Sequence, residues 1–159
     1  MFKKLLTTRS LCLSALIAAL YAALTLLLAP ISYGSIQCRV SEAMTVLPIL
    51  LPQSIPGLFI GCLIANLYTG MLTDIIFGSL ATLIAAIGTY LLRKKPLLAA
   101  ACPVVSNGLI VGLTLALSFH LPPLLTMLEV AIGEIGAVAV GMVILSGMKR
   151  AKIDLTRLG

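Results

Sequence analysis

Glu134 interrupts an otherwise apolar run, Leu124 to Met148, about a dozen residues after the turn His120-Leu121-Pro122-Pro123. At about 1.5 Å of rise per helical residue, that spacing puts its carboxyl near the centre of a membrane. A charge at that depth costs on the order of 3 kcal/mol on insertion scales, so such residues usually face a cavity or a partner and mark a ligand, ion or proton path. The structural alternative is a protonated glutamate bonded to a neighbouring helix. Glu129 precedes it by five residues on an adjacent face and at a shallower depth. It either joins the same site or snorkels to water. Asn107 falls about ten residues into the run Leu97 to Phe119, again near mid-depth. A buried Asn either locks helices together or reads a ligand, and the Gly108-x-x-x-Gly112 beside it permits close helix approach.

A second polar group lies before and between the apolar runs. Arg39 and Glu42 stand at i, i+3 and so could pair across one helical turn. The polar loop Tyr33 to Cys38 before them, including Gln37, suits a lid over a site. Asn66 and Asp74 complete the set. Asp74 also reads as an acid placed at a helix N-terminus, where the dipole favours it.

Other chemistries are absent. No G-x-x-x-x-G-K-[ST], G-x-S-x-G or H-E-x-x-H occurs, which argues against ATP binding by a P-loop and against the common hydrolase sites. Cys12, Cys38, Cys62 and Cys102 form no C-x-x-C, and His120 is far from all of them. They read as packing residues, with no metal and no cofactor expected.

The elements that position these residues must be membrane helices. The chain is 60% hydrophobic and 10% charged, against roughly 45–50% and 25% for soluble domains. So few charges cannot wrap such a core in a water-facing shell. In lipid every backbone group must be satisfied internally, and long Leu/Ala runs point to helices rather than a barrel. The reading is an all-α integral membrane protein, one substrate-binding domain over 1–159, with six helices at about 11–30, 41–51, 55–69, 74–92, 97–119 and 124–148. Pro48, Pro52 and Pro56 break the stretch between Glu42 and Gly70, so its first helix is short. Four spanning helices plus a re-entrant hairpin is the alternative.

Charge fixes the expected orientation. Lys and Arg prefer the cytoplasm. If the N-terminus, Arg93-Lys94-Lys95 and the C-terminal tail share that side, ten of the 11 basic residues are cytoplasmic and Arg39 alone is not. Of the five acids only Asp154 would be cytoplasmic. The net charge of +6 therefore reads as topology, not nucleic-acid binding. In the first helix Ala15, Ala19 and Ala23 recur at i, i+4. This small-residue face suits either packing inside the bundle or docking of another protein.

Several stretches carry a resemblance: Ile36 to Ala43 (IQCRVSEA), Pro56 to Asn66 (PGLFIGCLIAN), Asp74 to Thr82 (DIIFGSLAT), Ser106 to Gly112 (SNGLIVG) and Gly133-Glu134. With the Ala-x-x-x-Ala helix they cover most of the chain, which resembles the QueT family of substrate-binding membrane subunits (S components) of energy-coupling factor transporters. The resemblance implies a six-helix S component of the bacterial cell membrane that captures a queuosine precursor, a 7-deazaguanine base, at its outer face. It implies as partners a membrane coupling subunit, docked on Ala15, Ala19 and Ala23, and two cytoplasmic ATPases. A guanine-like edge offers adjacent N–H donors that a carboxylate accepts in bidentate fashion. Glu134 takes that role, Glu42 or Glu129 would meet a cationic substituent, Asn107 and Asn66 would read ring atoms, and Arg39 would order the lid through Glu42. The competing readings are an S component for another vitamin and a proton-coupled secondary transporter using Glu134. A membrane enzyme fits worst.

Overall fold

The computed structural model describes residues 7–32 and 39–151, and it is helical throughout with no strand among them. Six helices carry the architecture. Thr8–Leu27 is α1; Thr7 caps it by accepting the Ser10 amide at 3.3 Å. After a helical turn at Ala29–Ser32, α2 covers Val40–Ile49, α3 Ser54–Thr69, α4 Asp74–Leu91, α5 Pro96–Phe119 and α6 Pro123–Arg150. Four of them, α1, α4, α5 and α6, are long and apolar enough to cross a membrane. Gly70 ends α3 in the left-handed conformation (φ 68°), and His120 does the same for α5 (φ 54°).

Two elements depart from plain α-helix. Helix α2 is wound as a 3₁₀ helix over its ten residues. At about 2 Å per residue it reaches about 20 Å, short of a bilayer's roughly 30 Å hydrocarbon core. Side chains three apart eclipse in such a helix, which puts Glu42, Thr45 and Pro48 in one row, all buried. The start of α4, Asp74–Gly78, is a π turn.

Packing partners fix the directions. Gly57 of α3 faces Ser14 and Ile17, and Gly61 faces Ala18 and Tyr21, so α1 and α3 run parallel. The α3–α4 pair is antiparallel, with Asn66 at Ser79 and Cys62 at Thr82. The α4–α5 pair is antiparallel too: Ser106 donates to the Ala81 carbonyl at 2.9 Å and Thr89 to that of Ala99 at 3.1 Å. Gly108 and Gly112 bring α5 against Ala131 and Met127 of an antiparallel α6. Helix α2 returns the chain beside α1, so the α2–α3 pair adds one descent and one ascent. Arg9, Arg93 to Lys95, Lys149 and Arg150 consequently share one end of the bundle.

The surface and the interior are the reverse of a soluble protein's. Leu16, Leu97, Leu117, Ile132 and Val143 are more than half exposed, while Thr25, Thr45, Asn66 and Thr89 are wholly buried. An apolar belt of this extent on a water-soluble protein would be an association surface; around this bundle it is the lipid face. The helices approach closely because glycines stand at the crossings. A Cβ on Gly141 would lie 2.1 Å from the Ala43 carbonyl oxygen of α2, and one on Gly61 2.8 Å from Ala18 O. Gly61→Leu should therefore abolish the monodisperse peak of detergent-purified protein. Gly136 has open space where its Cβ would go, so Gly136→Ala should stabilise the protein by about 1 kcal/mol of helix propensity, read as a small rise in melting temperature.

Candidate functional site

Arg39, Glu42, Thr82, Asn107 and Glu134 converge on one cavity, walled on its apolar side by Val111 and Val130. Four elements meet there: the N-terminal end of α2 and the middle portions of α4, α5 and α6. The acids are deeply withdrawn, with Glu42 1% and Glu134 4% exposed. Each has one oxygen held by another helix. Tyr21 of α1 donates its hydroxyl to Glu42 Oε1, and Thr82 of α4 donates to the same oxygen at 3.2 Å. Asn107 Nδ2 donates to Glu134 Oε1 at 2.8 Å. The second oxygens, Glu42 Oε2 and Glu134 Oε2, have no partner among the described residues, and neither has Asn107 Oδ1. All three are acceptors. The space between them is about 10 Å³, room for roughly one water molecule. Anything larger must part its walls.

Arg39 borders this cavity and forms an ion pair with Asp74, Nη2 to Oδ2 at 3.6 Å, both side chains buried. Glu42, the partner expected across a helical turn, lines the same cavity. Arg39 caps α2 in extended backbone (φ −83°, ψ 100°), its carbonyl accepting the Glu42 amide at 2.9 Å, so its side chain does not follow the direction of an in-helix residue. The π turn delivers Asp74 instead. Asn66 braces that turn, its amide donating to the Asp74 carbonyl at 2.9 Å and to Ser79 Oγ at 3.3 Å. Asn66 and Asp74 thus stand behind Arg39 rather than in the cavity lining. Glu129 is half-buried on α6 and does not line the cavity either. Gln37 and the rest of the loop Tyr33 to Cys38 lie outside the described residues.

A family model described as "QueT transporter" matches residues 11–150. The chain belongs to the QueT transporter family. A curated relative, the queuosine precursor transporter QueT of Lactococcus lactis subsp. cremoris (strain MG1363), is 30% identical over 158 residues, covering 90% of this chain and 93% of its own. No solved structure matches the chain. The matched span reaches into every helix and includes every lining residue, so the buried polar cavity lies within the part of the chain that the family shares.

Sequence reasoning missed Tyr21 and Thr82. Tyr21 reads as a core aromatic, and a Thr in an apolar helix commonly bonds its own i−4 carbonyl; Thr82 does lie 3.3 Å from Gly78 O. Only the fold shows that both also reach Glu42. Val111 and Val130, the apolar walls, carry no distinguishing signal in a chain this rich in valine and leucine. The Arg39–Asp74 pair generates a test. Asp74→Ala removes an ion-pair partner from a buried guanidinium, and should lower stability by about 3–5 kcal/mol. In the double variant Arg39→Met/Asp74→Met the loss should be smaller than the sum of the single losses, measured by thermal unfolding in detergent.

Proposed function

We propose that this chain is the substrate-capture subunit of an energy-coupling factor importer and that it takes up a queuosine precursor, a 7-deazaguanine base, across the bacterial cell membrane. One observation carries the reading: three oxygens of the cavity lining, Glu42 Oε2, Asn107 Oδ1 and Glu134 Oε2, are left without a donor and stand together beside the Arg39 guanidinium. A ligand that satisfies them must be rich in N–H donors. The amino and ring N–H groups of a guanine-like edge fit one carboxylate: Glu134 accepts one at Oε2 and the other at the second lone pair of Oε1, beside the Asn107 amide. Glu42 then meets a second donor or a cationic substituent. Val111 and Val130 cover a planar ring. The name of the Lactococcus relative supports the same substrate class.

Two further features support the assembly. The basic ends of α1, α4, α5 and α6 coincide, and under the preference of Lys and Arg for the cytoplasm both termini lie inside. Helix α1 packs into the bundle through Ser14, Ile17, Ala18 and Tyr21, while Ala15, Ala19 and Ala23 are exposed. That small-residue face is free for a membrane coupling subunit, and ATP hydrolysis belongs to two cytoplasmic partners, since the chain has no P-loop sequence.

Equilibrium binding of a deazaguanine series to purified protein tests the substrate. Glu134→Gln should weaken it by about 10- to 100-fold, the worth of a charge-assisted hydrogen bond. Unchanged affinity would remove Glu134 from the site, and uptake that collapses with a protonophore but ignores the ATPases would favour a proton-coupled carrier. Ala19→Leu should leave binding intact while abolishing co-purification with the coupling subunit; retained assembly would exclude the alanine face as the docking surface.

A further inference from the structure

On the flank of the bundle, a groove of about 500 Å³ runs between α4 and α5. Its floor and walls include Ile84, Gly88 and Leu92 of α4 and Leu98, Ala101 and Val105 of α5. Gly88 lets the two helices approach closely at its floor, since a Cβ there would stand 3.0 Å from Cys102 Sγ. The two polar groups along it are already engaged. The Ser106 hydroxyl donates to the Ala81 carbonyl and the Cys102 thiol to that of Leu98 at 3.5 Å. A polar ligand finds no free partner there, and hydrocarbon does.

Length and charge narrow the occupant. From Ile84 to Leu92 the α4 wall spans about 12 Å, close to the roughly 15 Å of one leaflet's hydrocarbon. The groove closes at the α4–α5 turn, which is Arg93-Lys94-Lys95, three exposed cations in succession. The Arg93 guanidinium lies over the Tyr90 ring at 4.1 Å and donates to the Tyr90 carbonyl at 3.1 Å, which fixes it to the turn. The ion pair found among the described residues is Arg39–Asp74, so no carboxylate there neutralises this cluster. An acyl-sized slot ending at three cations with no carboxylate partner among the described residues has the two recognition elements of an anionic phospholipid.

We propose that the α4–α5 groove binds one acyl chain of an anionic phospholipid whose phosphate rests on the Arg93–Lys95 turn. The site is separate from the buried polar cavity and serves to anchor the basic end of the bundle in its leaflet.

Native mass spectrometry of the purified full chain tests this with phosphatidylglycerol and phosphatidylcholine of identical acyl chains. Phosphatidylglycerol should be retained preferentially and should raise the melting temperature. The triple variant Arg93→Gln/Lys94→Gln/Lys95→Gln should weaken retention by about fivefold per charge removed. Ala101→Trp, at an exposed groove position, should abolish it by filling the slot, and Val105→Trp serves if that variant does not purify. Lys149→Gln/Arg150→Gln, at another helix end, should change nothing. Equal retention of the two lipids would overturn the proposal. So would an equal loss in the Lys149/Arg150 variant, which would mean diffuse attraction without a site, or retention undiminished by groove filling.

Discussion

A carboxyl group inside a bilayer must find its hydrogen-bond donors within the protein, because no water is there to supply them. That constraint organises this bundle. Glu42 takes donors from α1 and α4, and Glu134 takes one from α5. Neither acid can be satisfied by its own helix, so each ties together elements that are distant in sequence. Helix–helix attraction in lipid lacks the hydrophobic drive available in water. The polar ties and the glycine crossings at Gly57, Gly61, Gly108, Gly112 and Gly141 do the work that burial of leucine does in soluble proteins. Half-satisfied acids also set the character of the cavity: the oxygen that holds the fold and the oxygen without a donor belong to the same carboxyl.

The outline of this arrangement is legible in the sequence because depth in a membrane is a one-dimensional quantity. Counting residues from the Pro122-Pro123 turn places Glu134, and counting from Pro96 places Asn107; their meeting at 2.8 Å follows from two antiparallel helices joined by a short turn. Prolines and basic clusters mark the helix ends to within a few residues. Rotation and winding are less accessible. Nothing in Val40–Ile49 distinguishes a 3₁₀ from an α-helix by composition, yet the winding decides which residues share a row with Glu42. The π turn at Asp74 is equally silent, and it redirects Asp74 toward Arg39. An i, i+3 rule applied to Arg39 and Glu42 presumes that both lie on a helix, and Arg39 does not. Thr82 is hidden for a different reason, because a Thr hydroxyl in an apolar helix has its own i−4 carbonyl as a default partner, and Tyr21 because its aromatic ring reads as core.

Helix α1 joins the two halves of the proposed function. Tyr21 faces inward and holds Glu42, and Thr25 holds Ser41 of the same α2 segment through a 2.7 Å hydroxyl pair. Ala15, Ala19 and Ala23 face outward on the opposite side of the same helix. In the importer reading, a substrate that engages Glu42 Oε2 pulls on a carboxyl whose other oxygen is bonded to the docking helix. The connection is a single hydrogen bond, with no intervening chain of side chains. Loss of the Tyr21 hydroxyl would leave the outward face intact and the inward tie broken, so assembly and its dependence on substrate are separable properties of one helix. Coupling by this route requires two arrangements of α1 that bind the partner differently. The 3₁₀ winding of α2 is the element best suited to supply them, since its hydrogen bonds are weaker than those of an α-helix and it is the segment through which both ties to α1 pass.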